Sequence, residues 1–244
     1  MKTEIIAEIG SNWEGDLRKA KKIIHECKKA GADAVKFQMW RAEDLYSRKH
    51  PQWNWIKKSE LTFEKARRIK EFSEKIEIEF FCSVFYPEAV DFLESQRVNR
   101  FKVASRTCLF EDSHSFEVLT KEAATKKSII VSMGMGGNKK KIKKIFANNK
   151  VLFCYCISKY PLDFRKIRWK EALKFDGFSD HTLDIIAPIV YTILKKQKKS
   201  KRILIEKHVK LENSKGLDAA SSITTNQLKE MINHIRLIEK AKLY

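Results

Sequence analysis

Short runs of β-branched and aromatic residues alternate with amphipathic stretches from one end of this 244-residue chain to the other. The strand-type runs are residues 4–9, 33–38, 78–83, 100–104, 128–132, 151–156, 175–179 and 202–207. Helical periodicity falls near 17–30, 60–75, 87–95, 113–125, 139–147, 165–173, 184–197 and 224–241. The first helix places Leu17, Ala20, Ile23, Ile24 and Cys27 on one face and is followed by Gly31, a stop signal. The last opens at Thr224-Thr225, a plausible N-cap, and aligns Leu228, Met231, Ile232, Ile235 and Ile238. Eight strand–helix alternations imply parallel strands joined by crossover helices. The length is close to the ~250 residues of a complete eightfold barrel. The expected fold is therefore an α/β (β/α)₈ TIM barrel forming a single domain over residues 1–244, with a doubly wound open sheet as the alternative. The longest irregular stretch, about 39–59, carries Trp40, Trp53 and Trp55. Its aromatics suggest a lid or an oligomer contact rather than disorder.

Composition narrows the function classes. No apolar run reaches the ~18 residues needed to span a membrane, and Met1-Lys2-Thr3-Glu4 enters a strand-like run without a signal-type apolar region. A cytoplasmic protein is expected. Cys27, Cys82, Cys108, Cys154 and Cys156 are odd in number and lack C-x-x-C spacing, which points to buried, reduced thiols. The formal net charge is +19, with lysine-rich runs at 139–144 and 195–202. Both runs fall on expected outer helices, and no nucleic-acid motif accompanies them, so solvated faces are the simpler reading and nucleic acid is not the expected partner.

In this fold the chemistry lies where strands end, and most of the strand ends are polar. They offer Glu8; Lys36 and Gln38, two apart and so on one side of the sheet; Ser83; Lys102 and Ser105; Ser132; Ser158 and Tyr160; Ser179 and His181; Glu206 and His208. A single strand-end serine is usually a turn former and a single lysine usually solvated. Recurrence around a ring is different, because polar groups at the mouth of an apolar barrel need partners or a ligand. Lysines and hydroxyls would receive a phosphate or carboxylate. His181 and His208 follow adjacent strands, so their imidazoles can approach one point and hold a divalent metal. Either one alone would more often be structural.

The segment Glu8-Ile-Gly-Ser-Asn-Trp-Glu-Gly-Asp resembles the opening motif of the sialic acid (N-acetylneuraminate) synthase family. Gly31-Ala-Asp-Ala-Val-Lys-Phe-Gln, Ala42-Glu-Asp-Leu, Phe101-Lys-Val-Ala-Ser, Ile130-Val-Ser-Met-Gly-Met, Ser179-Asp-His-Thr-Leu and Ile205-Glu-Lys-His-Val resemble its later segments, in order. The resemblance implies condensation of phosphoenolpyruvate with an N-acylated aldose, giving a 2-keto-3-deoxy sugar acid and phosphate. It implies a divalent cofactor, Mn²⁺ with Mg²⁺ or Co²⁺ as alternatives, on His181 and His208. It assigns Lys36, Ser83, Lys102, Ser105, Ser158 and Ser179 to phosphoenolpyruvate, with Ser132 in the same substrate-binding ring. Glu8 becomes a proton-transfer group, and Gln38, Tyr160 and Asp218 sugar contacts.

The chain departs from the family pattern at several positions. The family's C-terminal antifreeze-protein-like domain is expected to be absent, and a homodimer or a separate antifreeze-like protein is then an expected partner. Thr107 stands where the family has glutamate, Arg106 where it has glycine, and Trp13 where it has histidine; Ser214-Lys-Gly-Leu-Asp218 replaces a P-G-P-D loop. These changes lie on the acceptor side, where Arg106 suggests a more acidic acceptor. A Schiff-base aldolase using Lys36 or Lys102, and a non-catalytic binding or scaffold barrel, are the competing readings.

Overall fold

The computed structural model describes residues 2–242. Eight parallel strands close into a barrel: β1 (Glu4–Glu8), β2 (Ala34–Met39), β3 (Glu79–Val84), β4 (Arg100–Val103), β5 (Ser128–Ser132), β6 (Val151–Cys156), β7 (Gly177–Asp180) and β8 (Leu204–Lys210). Each pairs with its successor, and β8 pairs back with β1. The helices are α1 (Leu17–Ala30), α2 (Ala42–Leu45), α3 (Trp53–Lys58), α4 (Phe63–Lys75), α5 (Pro87–Ser95), α6 (Ser115–Ala124), α7 (Lys139–Ile145), α8 (Trp169–Ala172), α9 (Ile186–Gln197) and α10 (Thr225–Lys240). None is long and apolar enough to cross a membrane.

The period of two sorts every strand into a helix-facing side and a lumen side. The helix-facing side carries Ile5, Val35, Phe37, Phe101, Ile129, Val131, Phe178 and Ile205, all fully buried in the main core. The lumen is filled in layers, as this fold requires. At its N-terminal end Arg100 pairs with Glu4 and, at 2.6 Å, with Glu79. Above them Ile6, Ala34, Phe81, Ile130, Leu152, Cys154 and Leu204 form an apolar plug. The polar layer sits on that plug.

Helix ends follow the local signals. Gly31 adopts a left-handed φ of 92° and donates to Cys27 and Lys28 carbonyls. Thr224 and Gln227 close a capping box on α10. Two regions differ from expectation. The stretch around 39–59 contains α2 and α3, and buries Trp40, Ala42 and Ile56 with Phe85 in a small second core. Gly15, at φ 70°, receives this segment: a Cβ there would lie 2.1 Å from the Lys58 carbonyl oxygen. The expected helix at 165–173 is split into a 3₁₀ turn (Phe164–Lys166) and the short α8. Tertiary contact breaks it, because the Arg168 backbone N–H donates to the Tyr155 hydroxyl instead of continuing a helical ladder.

The five cysteines are all buried and unpaired. The lysine run on α7 is partly absorbed by packing: Lys139 lies over Phe153 and Phe175, and Lys141 over Phe110.

Candidate active site

Register brings the last lumen-facing residues of each strand to one level. Glu8 is beside Lys36 on β2 and beside His208 on β8; Ser179 is beside Glu206. The result is a chain of ion pairs across the lumen, with the two glutamates on one side and the two lysines on the other. Lys36 Nζ lies 2.7 Å from Glu8 Oε2 and 3.9 Å from Glu206 Oε2, and Lys102 Nζ lies 3.3 Å from Glu206 Oε1. Each lysine also donates to a hydroxyl, Lys36 to Ser83 at 2.9 Å and Lys102 to Ser132 at 2.8 Å. Ser179 Oγ donates to Glu206 at 2.7 Å, and Gln38 Nε2 to Glu8 at 2.6 Å. All four charged groups are nearly inaccessible.

Burial sets the charge states apart. It raises the Glu8 carboxyl above its ordinary range, outweighing Lys36. Burial pushes Glu206 the same way, but Lys102 and Lys36 together overcome it and hold this carboxylate well below that range. Burial would lower Lys102, and Glu206 reverses this, so the ammonium is favoured. One of the two glutamates thus keeps a proton readily while the other is firmly ionised.

The histidines stand at the edge of this ring, with centroids 5.4 Å apart. His181 Nδ1 donates to the Ile157 carbonyl oxygen at 2.8 Å, which fixes the orientation of the ring. His208 is held neutral by burial, against the pull of Asp218, and its Nδ1 is buried with no hydrogen-bond partner. Two imidazoles, one oriented by a carbonyl, fit the donor set of a divalent transition metal. Among the described residues no group of three or more His, Cys, Asp or Glu side chains is arranged to hold an ion. Tyr160 covers the two imidazoles, its ring 4.1 Å from His181 and 6.1 Å from His208.

Eleven of the expected site residues line one small cavity of about 60 Å³: Glu8, Lys36, Gln38, Ser83, Lys102, Ser105, Ser132, Tyr160, Ser179, His181 and His208. It opens into an outer chamber of about 560 Å³, with Gln38, Ala104, Ser105, Tyr160 and His208 shared between the two. Ser158 and Asp218, the other two expected residues, line that chamber. Asp218 Oδ2 accepts from the Ser11 backbone N–H and hydroxyl, at 2.8 and 2.7 Å. Gly134 is needed for close approach: its N–H donates to Ser105 Oγ, and a Cβ would lie 2.6 Å from Ser158 Oγ.

Two groups in the inner cavity carried no role in the sequence reading. Glu206 is the carboxylate that binds both lysines together. Cys156 Sγ lies 3.9 Å from His181 Nδ1; burial opposes its ionisation, but His181 and Lys102 pull the thiol below its ordinary value. The lumen parity of β6 and β8 was available as a signal for both. On the departing side, Thr107 and Trp13 are buried, Trp13 packing edge-on to Phe37. Arg106 donates through Nε and Nη2 to both Asp112 oxygens, at 2.8 and 2.6 Å.

Known proteins resemble this chain over nearly its whole length. An uncharacterised protein of Methanocaldococcus jannaschii is 38% identical over 98% of this chain and 71% of its own length. The N,N'-diacetyllegionaminic acid synthase of Campylobacter jejuni is 30% identical over 98% of this chain and 77% of its own. The crystal structure of N-acetylneuraminic acid synthetase from Leptospira borgpetersenii, solved with citrate, superposes with a TM-score of 0.86 at 26% identity, covering all of this chain and 87% of that one. A family model described as NeuB matches residues 23–243, and the chain belongs to the NeuB family.

Proposed function

We propose that this enzyme condenses phosphoenolpyruvate with an aldose, forming a 2-keto-3-deoxy sugar acid and inorganic phosphate. The observation that carries this reading is the inner ring, where two buried lysines, each on a serine hydroxyl, face two glutamates of opposite protonation tendency beside two imidazoles. Lys36 and Lys102 receive the donor's carboxylate and phosphate, helped by Ser83, Ser105, Ser132, Ser158 and Ser179. The acceptor lies in the outer chamber against Gln38, Tyr160 and Asp218.

In the reaction the donor's C3 forms a bond to the aldehyde carbon. The aldehyde oxygen takes a proton, and the raised affinity of Glu8 for its proton supports it as the donor. Water adds to C2, and the C2–O bond to phosphorus-bearing oxygen breaks, releasing phosphate and leaving the ketone. A divalent ion held by His181 and His208 would polarise the aldehyde as a Lewis acid. Glu206 stays ionised throughout and keeps Lys102 charged. That charge argues against a Schiff base on Lys102, which would need the neutral amine.

Phosphate release should occur with phosphoenolpyruvate, a divalent ion and at least one member of a panel of aldoses. Lys36→Met and Lys102→Met should each lower it by roughly a hundredfold or more, as loss of a preorganised charge contact does. Absence of release with every aldose, metal included, would overturn the reading.

A further inference from the structure

Resting on that reading, we infer that Glu14 is a positioning residue for the acceptor: its carboxylate fastens the Ser214–Asp218 loop and so fixes Asp218 in the outer chamber. Residues 211–222, which follow β8, contain no proline, so nothing covalent presets their φ angles. Leu217, Asp218 and Ser221 of this segment line the chamber. A loop that presents a side chain to a ligand without prior ordering pays the ordering cost on binding, and contacts that hold it beforehand remove that cost.

Those contacts come from the loop after β1, residues 9–16. Glu14 Oε1 accepts the Lys215 backbone N–H at 2.8 Å. The same oxygen lies 2.9 Å from the Ser214 hydroxyl, whose one proton is shared with the Asn12 carbonyl at 2.8 Å. At the other end of the loop Ser11 holds Asp218 Oδ2, and the Asp218 N–H donates back to Ser11 Oγ at 3.1 Å. Between these two fastenings the backbones touch, since a Cβ on Gly216 would lie 2.6 Å from Asn12 Cα. Glu14 is built for the task. Its side chain is only 6% exposed, and Lys19 takes its second oxygen. Its φ of 57° is left-handed, a conformation that persists in a residue with a Cβ only where the surroundings over-determine it. Burial opposes ionisation, but Lys19, the Lys215 N–H and the Ser214 hydroxyl together hold the carboxyl below its ordinary value. Hydrogen bonds to an ionised acceptor are stronger than neutral ones. Glu14 lines neither the chamber nor the inner cavity, so it reaches the acceptor through the loop alone.

The test combines steady-state phosphate release with backbone hydrogen exchange over residues 214–221. Glu14→Ala should raise the acceptor KM by roughly tenfold, equivalent to about 1.4 kcal/mol, and leave kcat and the donor KM within about twofold. Exchange over the loop should quicken by roughly tenfold as well. Glu14→Gln keeps an oxygen for the same two donors and should recover most of both losses. Glutamate, glutamine and alanine all carry a Cβ, so the backbone cost at this position cancels from the comparison. Ser214→Ala removes one partner and should shift the acceptor KM the same way by a smaller factor; it decides the matter where Glu14→Ala does not fold. A folded Glu14→Ala with the parental acceptor KM overturns the inference, as does an equal rise in both KM values. Glu14→Gln behaving like Glu14→Ala also overturns it, because the effect then belongs to the Lys19 ion pair. Unchanged exchange in Glu14→Ala removes this inference and leaves the condensation reading standing. No phosphate release by the parent with any aldose removes that reading, and the acceptor role of Glu14 with it.

Discussion

Glu122 lies fully buried on α6, and neither carboxylate oxygen has a hydrogen-bond partner. Burial drives its pKa well above the ordinary 4.5, with Lys102 opposing only in part. The folded chain therefore holds this proton more tightly than the unfolded chain. Its favourable contribution is complete below the ordinary value and is lost as pH climbs toward the folded one. Glu122→Met removes that dependence. Relative to its effect at pH 4, the variant should gain about 1–3 kcal/mol over the parent at pH 8, the usual cost of an unsatisfied buried polar group. Urea midpoints at the two pH values measure this, and a gap that does not widen with pH would refute it. Glu122 also marks what a sequence hides. Its helical position predicts burial no better than that of any neighbour, and nothing local says that it lacks a partner. Glu206 is the complementary case. Strand parity placed it on the same side as His208, but its pairing with Lys36 and Lys102 depends on barrel closure. Single strand-end residues were legible; the charges that neutralise one another across the ring were not.

Strands and helices were more legible than their partners. All eight strands lie at the expected places because the period of two and the bounding turns are local properties. The broken helix near 165–173 and the helices within 39–59 were set by distant contacts, the Tyr155 hydroxyl in one case and Phe85 in the other. A further distant contact ties β7 to β8. Lys207 and Asp180 form a fully buried ion pair at 2.5 Å, and Lys207 also donates to the Thr182 carbonyl at 2.6 Å. Each is the chain neighbour of a site histidine, so the pair fixes the strand ends carrying His181 and His208. Removing only the cation leaves a buried carboxylate uncompensated, and Lys207→Met should cost about 3–5 kcal/mol. The double variant Asp180→Asn/Lys207→Met should recover part of that loss. Chemical denaturation distinguishes the outcomes: a single variant within about 1 kcal/mol of the parent would mean the pair contributes little.

At the scale of the whole molecule, the +19 charge and the paired charges of the site act at different ranges. The inner ring sets two lysines against two glutamates, only one of them firmly ionised, so both ammonium groups are already engaged and a bound anion must displace glutamate contacts to reach them. The surface charge acts earlier. Lysines along the outer helices produce a long-range positive field, and such fields raise the capture rate of anions in a salt-dependent way. At about 0.1 M salt the screening length is about 10 Å, enough to suppress steering from distant helices but not contacts inside the ring. Raising ionic strength from about 0.02 M to about 0.5 M should therefore lower kcat/KM for phosphoenolpyruvate several-fold, through KM, with kcat nearly constant. The same change should leave kcat/KM for an uncharged acceptor almost unaltered. Steady-state phosphate release, varying one substrate at a time, separates the two. Equal salt sensitivity for donor and acceptor would show that salt acts on the protein itself, and a donor KM indifferent to salt would show that the helix lysines play no part in capture.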